Sequence, residues 1–401
     1  MRSLKASLAT AQDDQITRVV AFVDALPSRG PADDLIAPLR PRLQQLRPKR
    51  PCGLLRLLFT PLDPLIVPAG SWQRGSVMMP RTAIGPIGAV LLGAIRDAGE
   101  YRAQAITLDA SDHDAICRLG QVVWPIAAAL CATGLPATAW QIGEEGFTAQ
   151  DHVAIVALLG AVLGYANEIE AAVAEPPGDL QDAAIRVVLR RAALSGPAGF
   201  GAAATILLAR LSATERVISC AAEIAGSADY RAAADHAIET TLGNIGSVVG
   251  TIEREGASPV MDISRVATVL VGLEVCSAAK PERLKRIESI RRYAGDACQQ
   301  VFQQTATTGL LRHLEQLSDD PADTEIAALE ASARDLRRVE ACARRFGVGG
   351  GETLLKSCRD IFRSGKLTAL GLADRVRMLE IMGATDEAMA LLTAETAKTL
   401  V

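Results

Sequence analysis

Apolar residues recur at every third or fourth position through most of this chain, and nowhere do they alternate with polar ones in the β-branched pattern of a half-buried strand. A 3.6-residue period puts such residues on one face of a helix, so the chain is constrained to bury helical stripes against one another. Between Pro321 and Phe346 the stripe is Ile326, Leu329, Ala333, Leu336, Val339, Ala343 and Phe346. Asp320 and Pro321 suit its start, and Gly347 suits its C-terminal cap. From Pro281 the stripe is Leu284, Ile287, Ile290, Ala294, Ala297 and Val301, and the helix can run on to Leu317. The same reasoning predicts helices over 4–26, 31–46, 84–103, 112–132, 149–174, 180–194, 199–211, 214–225, 230–255, 260–277, 351–363, 367–380 and 385–399. Gly or Pro separates most of them, and short connections favour antiparallel neighbours.

The apolar fraction, 49%, comes mainly from Ala, Leu, Val and Ile, while aromatics are 3%. Alanine lets helices approach closely, and few aromatics leave little to line a ligand pocket. The expected fold class is therefore all-α: a multi-helix array or irregular α-solenoid-like bundle. Repeated signature residues of a regular solenoid are not found. An acidic bias ending near Val260 suggests an N-terminal helical region, 1–260, and a C-terminal one, 261–401, or a single continuous domain.

Residues 40–81 break the helical pattern. Pro41, Pro48, Pro51, Pro61, Pro64, Pro68 and Pro80 forbid a long helix, yet Leu54, Leu55, Leu57, Leu58, Phe59, Leu62, Leu65, Ile66 and Val67 are strongly apolar. A flexible linker would not carry that much apolar surface, so an ordered Pro-rich strap packed on the helices is expected. The strap is also basic, with Arg40, Arg42, Arg47, Lys49, Arg50, Arg56, Arg74 and Arg81 against one acid, Asp63; Trp72 lies among them. Three uses of these charges compete. The strap docks on the chain's own acidic helices, or it recognises a protein partner, or it contacts phosphate on nucleic acid or anionic lipid. The candidate partner-binding residues are Arg47, Lys49, Arg50, Arg56, Asp63, Trp72, Arg74 and Arg81. A net charge of −4 offers no global attraction to nucleic acid.

Catalytic signatures are weak. Gly347-Val348-Gly349-Gly350-Gly351 follows a helix rather than a strand and lacks GK[ST], so it reads as a C-cap and turn. His113 and Cys117, four apart, and His236 and Glu239, three apart, share helical faces without an evident third ligand. Asp319-Asp320-Pro321-Ala322-Asp323 has the DDxxD spacing with which all-α prenyl-transferring and terpene-forming enzymes hold Mg²⁺ against a diphosphate, but it sits where a helix begins, where acids already cap. Ser277 and Lys280 have SxxK spacing without a KTG partner.

The eight cysteines are scattered without CxxC pairs, the pattern of reduced thiols in the cytoplasm. Met1-Arg2-Ser3-Leu4-Lys5 runs into Asp13-Asp14 without an apolar stretch, so no secretory signal is expected. Leu119 to Gly143 is uncharged but interrupted by Pro125, Gly134 and Pro136, and Val153 to Asn167 is short, so no transmembrane segment is expected. Together these point to a cytoplasmic, non-catalytic helical scaffold or adaptor for a protein partner, with no cofactor and no metal. The alternatives are an all-α Mg²⁺/diphosphate-dependent enzyme, or a phosphate- or nucleic-acid-contacting protein acting through the strap.

Overall fold

A computed structural model describes residues 52–108, 112–133, 148–255, 259–318, 321–348, 351–364 and 369–399. Arg47, Lys49 and Arg50, the first part of the strap, the expected helices at 4–26 and 31–46, Asp319, Asp320, Gly349 and Gly350 lie outside the described residues. Over those described the chain is an all-α multi-helix array with almost no strand. It separates into two compact units. Among the described residues the first holds 52–60 and 83–133, and the second holds 61–82 and everything from 148 onward.

The first unit comprises α1 (Leu54–Phe59), α2 (Ile84–Ala94), α3 (Ala98–Thr107) and α4 (His113–Ala132). Of the strap's apolar run only the 54–59 stretch lies here, and it is this unit's core: α1 packs on all three other helices and buries Leu54, Leu57, Leu58 and Phe59. The close approach of α1 and α2 depends on Gly88, where a Cβ would stand 2.0 Å from a methyl of Leu55. The helix expected at 84–103 is two helices, because Ile95 turns extended and Asp97 adopts a left-handed φ of 62°. The helix expected at 112–132 is α4, which runs unbroken through Pro125, so this proline does not itself interrupt the uncharged stretch. Pro125 and Gln121, whose carbonyl loses its intrahelical donor, are both exposed, so water can supply the missing bond. Among the described residues α4 is long and apolar enough to cross a membrane; its stripe of Ile116, Leu119, Val123, Trp124, Ala127 and Cys131 is buried in this unit.

The second unit opens with strands β1 (Ile66–Val67) and β2 (Met79–Pro80), paired in parallel with Ile66 opposite Met79 and Val67 opposite Pro80. The array follows: α5 (Ala149–Gly164), α6 (Ala166–Ala174), α7 (Asp179–Ala193), α8 (Gly196–Arg210), α9 (Thr214–Ile224), α10 (Ala228–Glu255), α11 (Pro259–Cys276) and α12 (Pro281–Gln304). After a π-helical turn at Thr305–Leu311 come α13 (Arg312–Glu315), α14 (Asp323–Phe346), α15 (Gly351–Arg363), α16 (Leu372–Ile381) and α17 (Thr385–Thr399). From α6 onward helices pack mainly on their next and next-but-one neighbours, the connectivity of an irregular solenoid. Val260 falls in the first turn of α11, and Pro281 opens α12.

The helix expected at 149–174 bends by 50° between α5 and α6. The break lies at Tyr165, which is fully buried and donates its hydroxyl to the Gly199 carbonyl at 3.1 Å. The long helix from Pro281 does continue, through the π turn, to Glu315. Each i→i+5 step leaves a carbonyl without its usual donor, and Thr305, Thr307 and Thr308 hydroxyls donate back to the carbonyls of Val301, Gln303 and Gln304 at 2.7, 2.8 and 2.7 Å. Gly347 ends α14 as expected: its φ of 73° is left-handed, and Val348 N–H reaches back to the Ala343 carbonyl at 3.0 Å.

Candidate functional site

The sequence candidates on the strap are placed in two ways. Arg74 is held by the helical body, with Nε and a terminal nitrogen each 2.9 Å from Asp151. Asp151 closes the capping box of α5, accepting the Thr148 N–H and hydroxyl at 2.8 Å each. Arg74, followed by the Thr148 backbone, outweighs burial and holds the Asp151 carboxyl far below its ordinary range. Trp72 is half-buried and donates its indole N–H to the Met78 carbonyl at 3.0 Å, which braces the loop between β1 and β2. Both side chains are thereby tied into the second unit. Asp63 has an interaction partner and is exposed, while Arg56, in the first unit, and Arg81, in the second, are also exposed.

His113 Nε2 and Cys117 Sγ come within 3.5 Å on the first turns of α4. Glu239 is occupied by Arg283 at 2.7 Å and Arg286 at 2.8 Å, whereas His236 is exposed. Ser277 is fully buried and its hydroxyl has no hydrogen-bond partner, while Lys280 turns to Asp235, so SxxK spacing does not bring the two groups together for catalysis. None of the eight cysteines is in a disulfide. Burial pushes the Cys131 thiol up to about 11 and the Cys298 thiol up to about 12, which leaves both poor nucleophiles.

A cavity of about 250 Å³ opens among α8, α9 and α10 in the second unit. Its origin is the side-chain size along three facing helices. Ala204, Ala221, Ala222, Ala225 and Ala234 stand where larger residues would fill the space. Leu208, Val217, Ile218 and Ile238 form the rest of an apolar floor, and only Arg231, Asp235 and Lys280 bring polar groups to it. The charges are clustered at this end of α10. Asp235 meets Lys280 at 2.5 Å and Arg283 at 3.3 Å. Burial draws the Asp235 carboxyl upward, but Lys280 and Arg283 together outweigh it and hold the group below its ordinary value. Four cations, Arg231, Lys280, Arg283 and Arg286, here accompany two carboxylates, Asp235 and Glu239, so the cluster is net positive.

The recess offers apolar surface and a few charges. Its lining holds no Ser, Thr, Cys or His, and its one carboxylate is committed to two cations. An apolar group fits the floor, and an acid beside that group meets the cations. Sequence reasoning missed the pocket because its walls are mostly alanines from separate helices. The available signal was the alanine density of 202–204, 221–222 and 232–234 at matching helical positions. Comparison with protein-family models, with curated proteins and with solved structures returns no match.

Proposed function

We propose that this chain is a non-catalytic helical scaffold that binds a protein partner in the cytoplasm, seating an apolar side chain of an acidic partner segment in the α8–α9–α10 pocket. The observation that carries this reading is the pairing of an apolar floor with a cationic rim in a recess sized for one or two side chains. Interfaces draw most of their affinity from a few anchors in desolvated pockets, and rim charges set orientation and partner choice. That none of the eight cysteines is disulfide-bonded favours a reducing compartment.

Ala222 lines the pocket and is exposed, so a photo-crosslinking amino acid placed there reports on the occupant. The same group at Val153, exposed on α5, is the control. In native lysate a discrete, nuclease-resistant protein adduct is expected from position 222 and not from position 153. Equal labelling from both positions, or an adduct abolished by nuclease, would contradict the reading.

A further inference from the structure

A different face of the second unit carries an unpartnered apolar row. Helix α7 buries Gln181, Ile185, Val188, Leu189 and Ala192 against its neighbours. On its outer side Leu180 is 72% exposed, Val187 52%, and Leu194, its C-cap residue, 88%. Single exposed leucines and valines are ordinary on protein surfaces. These three are spaced seven apart, so they form one line about 21 Å long that drifts by only ~20° per heptad.

We infer that this row is the contact between two copies of the chain, with their α7 helices paired antiparallel about a two-fold axis at Val187. The reason for choosing a second copy is the distribution of charge on the same helix. Asp179 and Asp182 stand in its first turn, and Arg190 and Arg191 stand in its last. Parallel pairing would set acids on acids and bases on bases. Antiparallel pairing of identical helices complements both ends at once and also opposes the two macrodipoles. Within one chain Asp182 is engaged by Arg216 at 3.0 Å, and Arg191 is engaged by Glu168. Asp179 and Arg190, both exposed, lie on one flank of the row, and the two-fold axis brings that flank of each copy together. Leu180 then meets Leu194, and Val187 meets its own copy. Arg190 stands opposite Ala184 of the other copy, about five residues or ~7.5 Å along the axis from its Asp179, a span an extended arginine can cross; Arg186 on the same flank is held by Glu223 at 2.8 Å.

Three apolar side chains from each copy and two symmetric charge pairs are at the small end of specific interfaces, so the dissociation constant is expected on the order of 10–100 µM. Sedimentation of the full chain over a concentration series bracketing that range should show reversible dimerisation. Leu194→Asp should weaken it at least about tenfold. Arg190→Glu should weaken it several-fold, and Asp179→Arg combined with Arg190→Glu should restore it. Directionality is read by crosslinking under mild oxidation. Val187→Cys should form a covalent dimer rapidly. Leu180→Cys and Leu194→Cys should each do so slowly alone but rapidly when mixed. Val153→Cys and the unsubstituted chain set the background. A chain that stays monomeric throughout, Val187→Cys no faster than Val153→Cys, or Leu194→Cys pairing rapidly with itself would each overturn the inference.

Discussion

Replacing Trp124 with Phe tests whether α1, the 54–59 stretch of the strap, is the core of the first unit. Trp124 is fully buried, and its indole N–H donates to the Leu57 carbonyl at 2.8 Å. In a helix that carbonyl would accept from the residue four positions on, which is Pro61 and has no N–H. The indole thus supplies a hydrogen bond that the proline-rich sequence cannot supply from its own backbone. Phenylalanine keeps the aromatic packing but leaves the buried carbonyl unsatisfied, at roughly 1–3 kcal/mol. The smaller ring adds a cavity of a few methylene groups, at about 1 kcal/mol. The first unit should therefore lose about 2–4 kcal/mol, against less than about 0.5 kcal/mol for Val122→Ala on the exposed side of the same helix. Urea unfolding followed by circular dichroism measures both. A Trp124→Phe loss below about 1 kcal/mol would refute the idea that the indole replaces the missing backbone donor.

Because Asp151 has its folded-state pKa lowered by Arg74 and Thr148, its contribution to stability is present above its ordinary value and is lost as pH falls below that value toward the folded one. The urea midpoint of the unsubstituted chain should accordingly fall more steeply between about pH 5 and pH 2 than that of Asp151→Asn. Gly347→Ala, at a φ of 73°, should destabilise the second unit by about 1 kcal/mol, visible as a lowered unfolding midpoint. Gly120→Ala would place a Cβ 2.3 Å from the Trp124 ring and should cost roughly 1–3 kcal/mol in the same assay on the first unit. Under native conditions a thiol reagent should label Cys117 and Cys276 first, since the other six cysteines are buried; unfolding should release all eight.

Helices were legible in the sequence wherever one element's own period and caps determine it, as in α12 and α14, where Pro281 and Gly347 mark the ends. The breaks were not legible where a distant contact decides them. Tyr165 leaves the helix to bury its ring and bond Gly199, 34 positions on, and nothing local to residues 149–174 announces that partner. The helix expected at 112–132 did form across Pro125, because a proline is tolerated inside a helix when the carbonyl it orphans faces water. The strap's apolar half announced a packed segment, but its charges did not announce their mates. Arg74 finds Asp151 77 residues away, a pairing that charge counting along the chain cannot assign. The pocket was the least legible feature, because a cavity is written in what alanines omit.

The most direct test of the proposed scaffold function is selection of a displayed random-peptide library on the full chain, repeated on Ala222→Trp, which fills the pocket mouth from an exposed position. The expected outcome is enrichment of peptides that share one large aliphatic or aromatic residue close to an Asp or Glu, bound by the unsubstituted chain and lost on Ala222→Trp. Enrichment that survives Ala222→Trp, or no enriched sequence at all, would contradict a pocket built to seat a partner's side chain.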